Sequence, residues 1–140
     1  MPPQPDTWNP INLANIAEYN SAGTNKEQYD KLGLIEANTW IFHAPVIVYI
    51  KIPKNSTMYQ AYDAGAFGYG ISLSAHEHGL VIIPAYEFVR YPQEIHDVID
   101  IPENESLIMG IGIGYAKDCE LNDFYQINGR ASLDSIFSIK

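Results

Sequence analysis

Residues able to do chemistry are sparse in this 140-residue chain. His76-Glu77-His78 brings two imidazoles and a carboxylate together, but on a helix a two-residue spacing turns the imidazoles to nearly opposite sides. A helical zinc pair needs a spacing of four, so these read as solvated helix-end residues. His43 and His96 stand alone, and no serine sits in a G-x-S-x-G elbow, so a hydrolase triad has no support. Cys119, the only cysteine, lies between Asp118 and Glu120, whose charges disfavour its thiolate. The runs Gly65-Ala66-Phe67-Gly68-Tyr69-Gly70 and Gly110-Ile111-Gly112-Ile113-Gly114 have neither the G-x-G-x-x-G spacing nor the strand-to-helix position of a dinucleotide loop. An anion site has six lysines, Arg90 and Arg130 to draw on, and no other cation that is charged at all pH values of interest.

The elements that must position any site are set by composition and pattern. At 46% hydrophobic and 18% charged, the chain reads as one globular domain over 1–140, long enough to build a core without metals or disulfides. The formal charge of −9 repels phosphate backbones, so nucleic acid and anionic membrane are poor partners. The longest apolar run, Val46 to Ile50, is too short to span a bilayer, and no signal-peptide pattern follows Met1. With a single thiol this points to a reducing, cytoplasmic setting.

Residues 1–10 read as an extended, proline-rich arm. A short helix is expected over Ile11 to Tyr19, and a second after the Thr24/Glu27 capping box, with Tyr29, Leu32 and Ile35 at three-residue steps. Ala44 to Ile52 is a β-branched run apolar on both faces, expected as a central strand covered by helices on each side. Thr57 and Gln60 form a capping box for a long helix to about His78, closed by Gly79. Its small residues Ala61, Gly65, Gly68, Ser72 and Ala75 make a smooth stripe suited to a close helix pair, and leucine at Gly68 is expected to disrupt that approach. Leu80 to Pro84 is a short strand; Pro92 opens a helix carrying Ile95, Val98 and Ile99; Pro102 stops it. Leu107 to Tyr115 is a strand with Gly110, Gly112 and Gly114 on one face, where a helix or another backbone must lie close. The fold class is α+β, in mixed α/β layers with a central sheet flanked by helices.

Several segments in order resemble the FMN-dependent nitroreductase family. Asn38-Thr39-Trp40-Ile41-Phe42-His43-Ala44-Pro45-Val46 is similar to its aromatic-then-Ala-Pro approach to a strand. Asp63 to Phe67 and Leu73 to Leu80 are similar to its central helix with the terminal Gly-Leu. Pro84-Ala85-Tyr86-Glu87-Phe88, Tyr91-Pro92, Ile101 to Glu105 and Met109 to Tyr115 match succeeding blocks, and Asn128-Gly129-Arg130-Ala131-Ser132-Leu133-Asp134 resembles the closing arginine-containing tail. No single block is specific; the ordered set is. The family's Arg-Arg-Ser-x-Arg and Pro-Ser-x-x-Asn-x-Gln-Pro-Trp blocks are missing, so the family pattern is expected to be incomplete at the N-terminus, with the flavin pocket lacking part of its usual lining.

The resemblance implies a homodimer, here through the Ala61–Ala75 helix, that holds FMN at the subunit interface and moves electrons from NAD(P)H to nitroaromatics, quinones or similar acceptors. It implies cofactor-binding positions at Pro84, Tyr86, Glu87, Asn128 and Arg130, and no catalytic side chain or metal. The backbone N–H groups around Tyr86 and Glu87 would lie beside the flavin ring, and Arg130 would meet the phosphate, which a planar guanidinium fork suits. Without the resemblance, Arg130 reads as a surface cation near Asp134 and Tyr86 and Glu87 as loop residues. The alternative function is a non-catalytic dimerising remnant with weak or no flavin binding.

Overall fold

The computed structural model describes residues 9–21, 33–118 and 132–139. They fall into two compact units, one containing 36–117 and the other drawn from 9–35 and 118–140.

In the second unit, α1 (Pro10–Ser21) starts on the proline that closes the expected arm, where a missing N–H costs nothing. Asn9 caps it: the Asn12 N–H donates to Asn9 Oδ1 at 2.9 Å. A single short turn, Leu133–Ile136, is also helical there, and a helix over Leu34–Thr39 begins in this unit. The Thr24/Glu27 capping box, most of the helix expected after it, and Cys119 lie outside the described residues.

The first unit is built on β1 (Val46–Pro53), β2 (Val81–Ala85) and β3 (Glu105–Gly114). These form an antiparallel sheet in the order β1-β3-β2. The strand with the strongest β-branched run is thus an edge of the described sheet, and the glycine-bearing β3 is its centre, which corrects the expected placement. Apolar faces and alternate glycines describe what lies above and below a strand, whereas the order in the sheet is set by in-plane hydrogen-bonding partners far apart in sequence. A one-residue bulge at Ile108 shifts the β1 register between Ile50/Met109 and Lys51/Leu107. Lys51 forms an ion pair with Glu105 across the end of this ladder.

The long helix α2 (Met58–Glu77) begins and ends as its sequence dictates. The Thr57 N–H donates to Gln60 Oε1 at 2.8 Å, the returning half of the capping box. Gly79 adopts φ +71, and the Leu80 N–H reaches back to the Ala75 carbonyl at 2.9 Å, closing a Schellman turn. Ala64, Gly68, Ile71 and Ala75 face the sheet, with Ala64 in a cluster with Ile50 and Ile111. The small-residue stripe is therefore split: Gly68 and Ala75 belong to the helix–sheet contact within the chain, whereas a Cβ at Gly65 would meet open space. A Cβ built at Gly68 would lie 3.2 Å from Ile50 Cδ1 and 3.7 Å from Ile111 Cδ1. Gly68→Ala should accordingly fit, with a gain in helix propensity, whereas Gly68→Leu should cost about 1 to 3 kcal/mol in urea unfolding by prising α2 from the sheet.

Among the described residues no helix is long and apolar enough to cross a membrane. The helix that Pro92 opens is shorter than its periodicity predicts, ending at His96. The Val98 and Ile99 N–H groups still donate to the Ile95 carbonyl, at 3.0 and 2.9 Å, before the chain turns back through Pro102 into β3. Ile95 and Ile99 still pack on a second cluster of Val89, Ile101 and Leu107, while Val98 is exposed.

Candidate functional site

Pro84 and Ala85 end β2 opposite Ile111 and Gly110, and the chain passes directly into a 3-10 turn over Tyr86–Val89. The turn divides by residue. Phe88 and Val89 are 2% and 1% exposed and anchor it, whereas Tyr86 is 43% exposed and Glu87 half-buried at its opening. The first N–H groups of any helical turn find no carbonyl within that turn, so Tyr86 and Glu87 present donors at the end of a paired strand. Pro84, which has no N–H, adds only shape and an exposed ring.

Charge at this turn is balanced locally. Arg90 Nη1 donates to both carboxylate oxygens of Glu87, at 2.9 and 3.3 Å, and its guanidinium carbon lies 5.3 Å from the Tyr91 ring centroid. In a half-exposed setting such a pair contributes about 0 to 1 kcal/mol, so its importance is the compensated charge beside the donors rather than stability.

The anchor is Phe88. Its ring lies on the glycine face of β3: a Cβ at Gly110 would come 2.2 Å from Phe88 Cβ, and one at Gly112 would come 2.8 Å from Phe88 Cζ. The partner of the glycine face is therefore an aromatic ring with Ala44 and Pro45 beside it, in place of the helix or backbone expected from the sequence. The ring spans the two alternate glycines, with its Cβ over Gly110 and its Cζ over Gly112. Tyr49 lines the same face, and burial pushes its phenol pKa above the usual value.

Phe42 reaches Phe88 from the other side of the chain, with ring centroids 5.9 Å apart at 50°. It does so from a left-handed turn: Ile41, Phe42 and His43 have φ of +52, +55 and +51. Each L-residue held there costs roughly 1 to 2 kcal/mol, most severely at a β-branched side chain. No residue in Trp40-Ile41-Phe42-His43 signals this, since glycine, asparagine and aspartate are the usual markers of such a backbone. Trp40 and His43 stack across the turn at 6.3 Å and 13°.

Of the five cofactor-binding positions implied by the resemblance, the structure brings Pro84, Tyr86 and Glu87 together on one strand-to-turn junction, while Asn128 and Arg130 lie outside the described residues. His76 and His78 sit at the end of α2, where His78 Nδ1 is 2.8 Å from the Ser74 carbonyl. Among the described residues no three His, Cys, Asp or Glu side chains form a group able to hold a metal ion.

Comparison with known proteins places this geometry. The Nitroreductase family profile matches residues 12–115. A 4-nitrobenzoate reductase of Nocardioides sp. is 30% identical over 74 residues, covering 53% of this chain and 30% of the relative. Nitroreductase NfnB of Mycolicibacterium smegmatis is 28% identical over 101 residues, covering 71% of this chain and 43% of the relative. The chain thus spans less than half the length of these curated relatives. In structure, it is similar to FMN-dependent NfnB from Mycobacterium smegmatis, crystallised with NADPH, at a TM-score of 0.69 and 22% identity over 100% of this chain and 65% of that one. The FMN- and NADPH-dependent NfnB of Sphigopyxis sp. strain HMH gives a TM-score of 0.67 at 21% identity, over 99% and 64%. With the fold and the ordered sequence blocks in agreement, the chain belongs to the nitroreductase family.

Proposed function

We propose that this protein is an FMN-dependent oxidoreductase that takes electrons from NAD(P)H and passes them to nitroaromatic, quinone or similar acceptors. The observation that carries the reading is the rigid junction Pro84–Val89, which offers two backbone donors at the end of a strand in a chain that shares its fold with FMN-dependent enzymes. The residues present fit an isoalloxazine edge. Tyr86 is exposed, the donors belong to backbone rather than to mobile side chains, and the one carboxylate nearby is compensated by Arg90. Bound FMN would supply the electron-carrying chemistry, which explains why no acid, base or nucleophile is needed from the chain. The protein's part is to bind and orient: the Tyr86 and Glu87 N–H groups toward the ring, Arg130 toward the phosphate, and Asn128 as a weaker polar contact.

The homodimer belongs to the same proposal. On α2, Met58, Tyr62, Tyr69 and Leu73 recur on one exposed face, while Ala64, Gly68 and Ala75 face the sheet. A helix apolar on both sides is buried on both, and a second copy of this helix is the proposed cover. Sedimentation should give a dimer; a monomer at micromolar concentration overturns this part.

The decisive experiment is FMN incubation followed by desalting. A retained yellow chromophore bleached by NAD(P)H is expected, and a protein that stays colourless overturns the cofactor reading. Arg130→Ala should weaken FMN binding by about 1.5 to 3 kcal/mol, roughly 10- to 150-fold in Kd, if a charged hydrogen bond to phosphate is lost. An unchanged titration would refute the phosphate role.

A further inference from the structure

We propose that the left-handed turn Ile41–His43 is a positioning element for the Tyr86–Val89 turn, acting through the contact of Phe42 with Phe88. The inference rests on the reading that Tyr86 and Glu87 face the flavin, and it assigns a role to a segment that supplies no group to the cofactor.

Three consecutive L-residues in the left-handed region, with no glycine among them, persist only where the surroundings over-determine them. Burial of the turn's own side chains does not explain its retention: Ile41, the residue least suited to this backbone, is exposed, and so is His43. Only Phe42 of the three turns inward, and its ring meets Phe88. What the strained backbone delivers is therefore that aromatic contact.

Phe88 in turn has little freedom. Its Cβ and ring approach the Gly110 and Gly112 positions so closely that no side chain could be added at either. Phe42 supplies a further wall, so the rotamer of Phe88 is fixed from β3 and from the left-handed turn. Phe88 is the third residue of the same 3-10 turn whose first two residues are Tyr86 and Glu87. In a turn of four residues, a locked third side chain limits how far the opening N–H groups can tilt. Donors aimed at a site of developing charge act in proportion to how well they are held before the charge appears.

The test compares Phe42→Ala, Phe42→Leu and Ile50→Val in the full chain. Ile50→Val is the control, because Ile50 is buried under α2 in a different cluster and its loss weakens the fold without touching Phe88. Two quantities are read: amide exchange across Phe88 to Arg90, and the midpoint potential of bound FMN. In Phe42→Ala, exchange at these amides should accelerate at least tenfold relative to Ile50→Val. The preference for reduced over oxidised FMN should fall about tenfold, which for a two-electron couple is a potential about 30 mV more negative. Phe42→Leu, which keeps an apolar contact, should recover most of both. Equal exchange and equal potential in Phe42→Ala and Ile50→Val would overturn the proposal. If the unmodified chain retains no FMN, the cofactor reading fails by itself, and the exchange comparison still decides whether Phe42 holds the turn.

Discussion

Gly110→Ala is expected to lower the unfolding free energy by about 3 kcal/mol, at the upper end of what overpacking costs, read as a fall in the urea midpoint at unchanged m-value. The added methyl would sit 2.2 Å from Phe88 Cβ, 3.0 Å from its Cγ and 3.3 Å from Tyr49 Cε1. Contacts with the tip of a flexible side chain can be relieved by a rotamer change, but Phe88 Cβ is bonded to the backbone of the 3-10 turn. Either β3 or the turn must therefore move. Gly110 lies in the central strand, hydrogen-bonded on both sides and paired with Tyr49 and Ala85, so the turn is the part that yields. The same substitution made with Phe88→Gly, which removes the Cβ as well as the ring, should cost much less, with a coupling energy of about 1 to 2 kcal/mol between the two positions. Additive losses would show that Gly110 is required for some reason other than the ring above it.

How much of this was legible in the sequence depends on the range of the interaction. Local rules describe α2 well: Thr57 and Gln60 announce its start and Gly79 its end, because capping and a positive φ are satisfied within a few residues. Strand existence is equally local, and Val46–Pro53 and Glu105–Gly114 follow from β-branched and alternating patterns. Strand order is not local. A run apolar on both faces speaks to what lies above and below the strand, not to which strands pair along its edges, and β1 is an edge of the described sheet. Alternating glycines in β3 announce a close approach without naming what approaches, since Phe88 is separated from Gly110 by more than a full element of chain. The left-handed turn had no marker at all, because its backbone is imposed by where Phe42 must go rather than by the preferences of Ile41, Phe42 and His43. Tyr86 and Glu87 became candidates through the family resemblance, their side chains carrying no signature of their own.

Phe88→Ala is expected to cost about 3 to 5 kcal/mol, the range for truncating a buried aromatic, and to fall toward the top of it. The cost of such a truncation depends on whether neighbours can relax into the void. Here two of the closest neighbours are Gly110 and Gly112, which have no side chains to rotate inward. Phe42 can follow only if the left-handed turn also rearranges. Phe88→Leu, which keeps part of the volume, should recover more than half of the loss; equal losses for Ala and Leu would argue that the aromatic ring itself, rather than filled space, is what the site requires. The functional consequence separates this residue from Arg130. Loss of a phosphate contact should weaken FMN binding with the urea midpoint of the apoprotein unchanged. Loss of Phe88 should lower both, because the ring that fills the glycine face of β3 is also the anchor of the turn proposed to meet the flavin. An apoprotein of undiminished stability in Phe88→Ala would detach that turn from the core and remove the physical basis for treating it as a preorganised site.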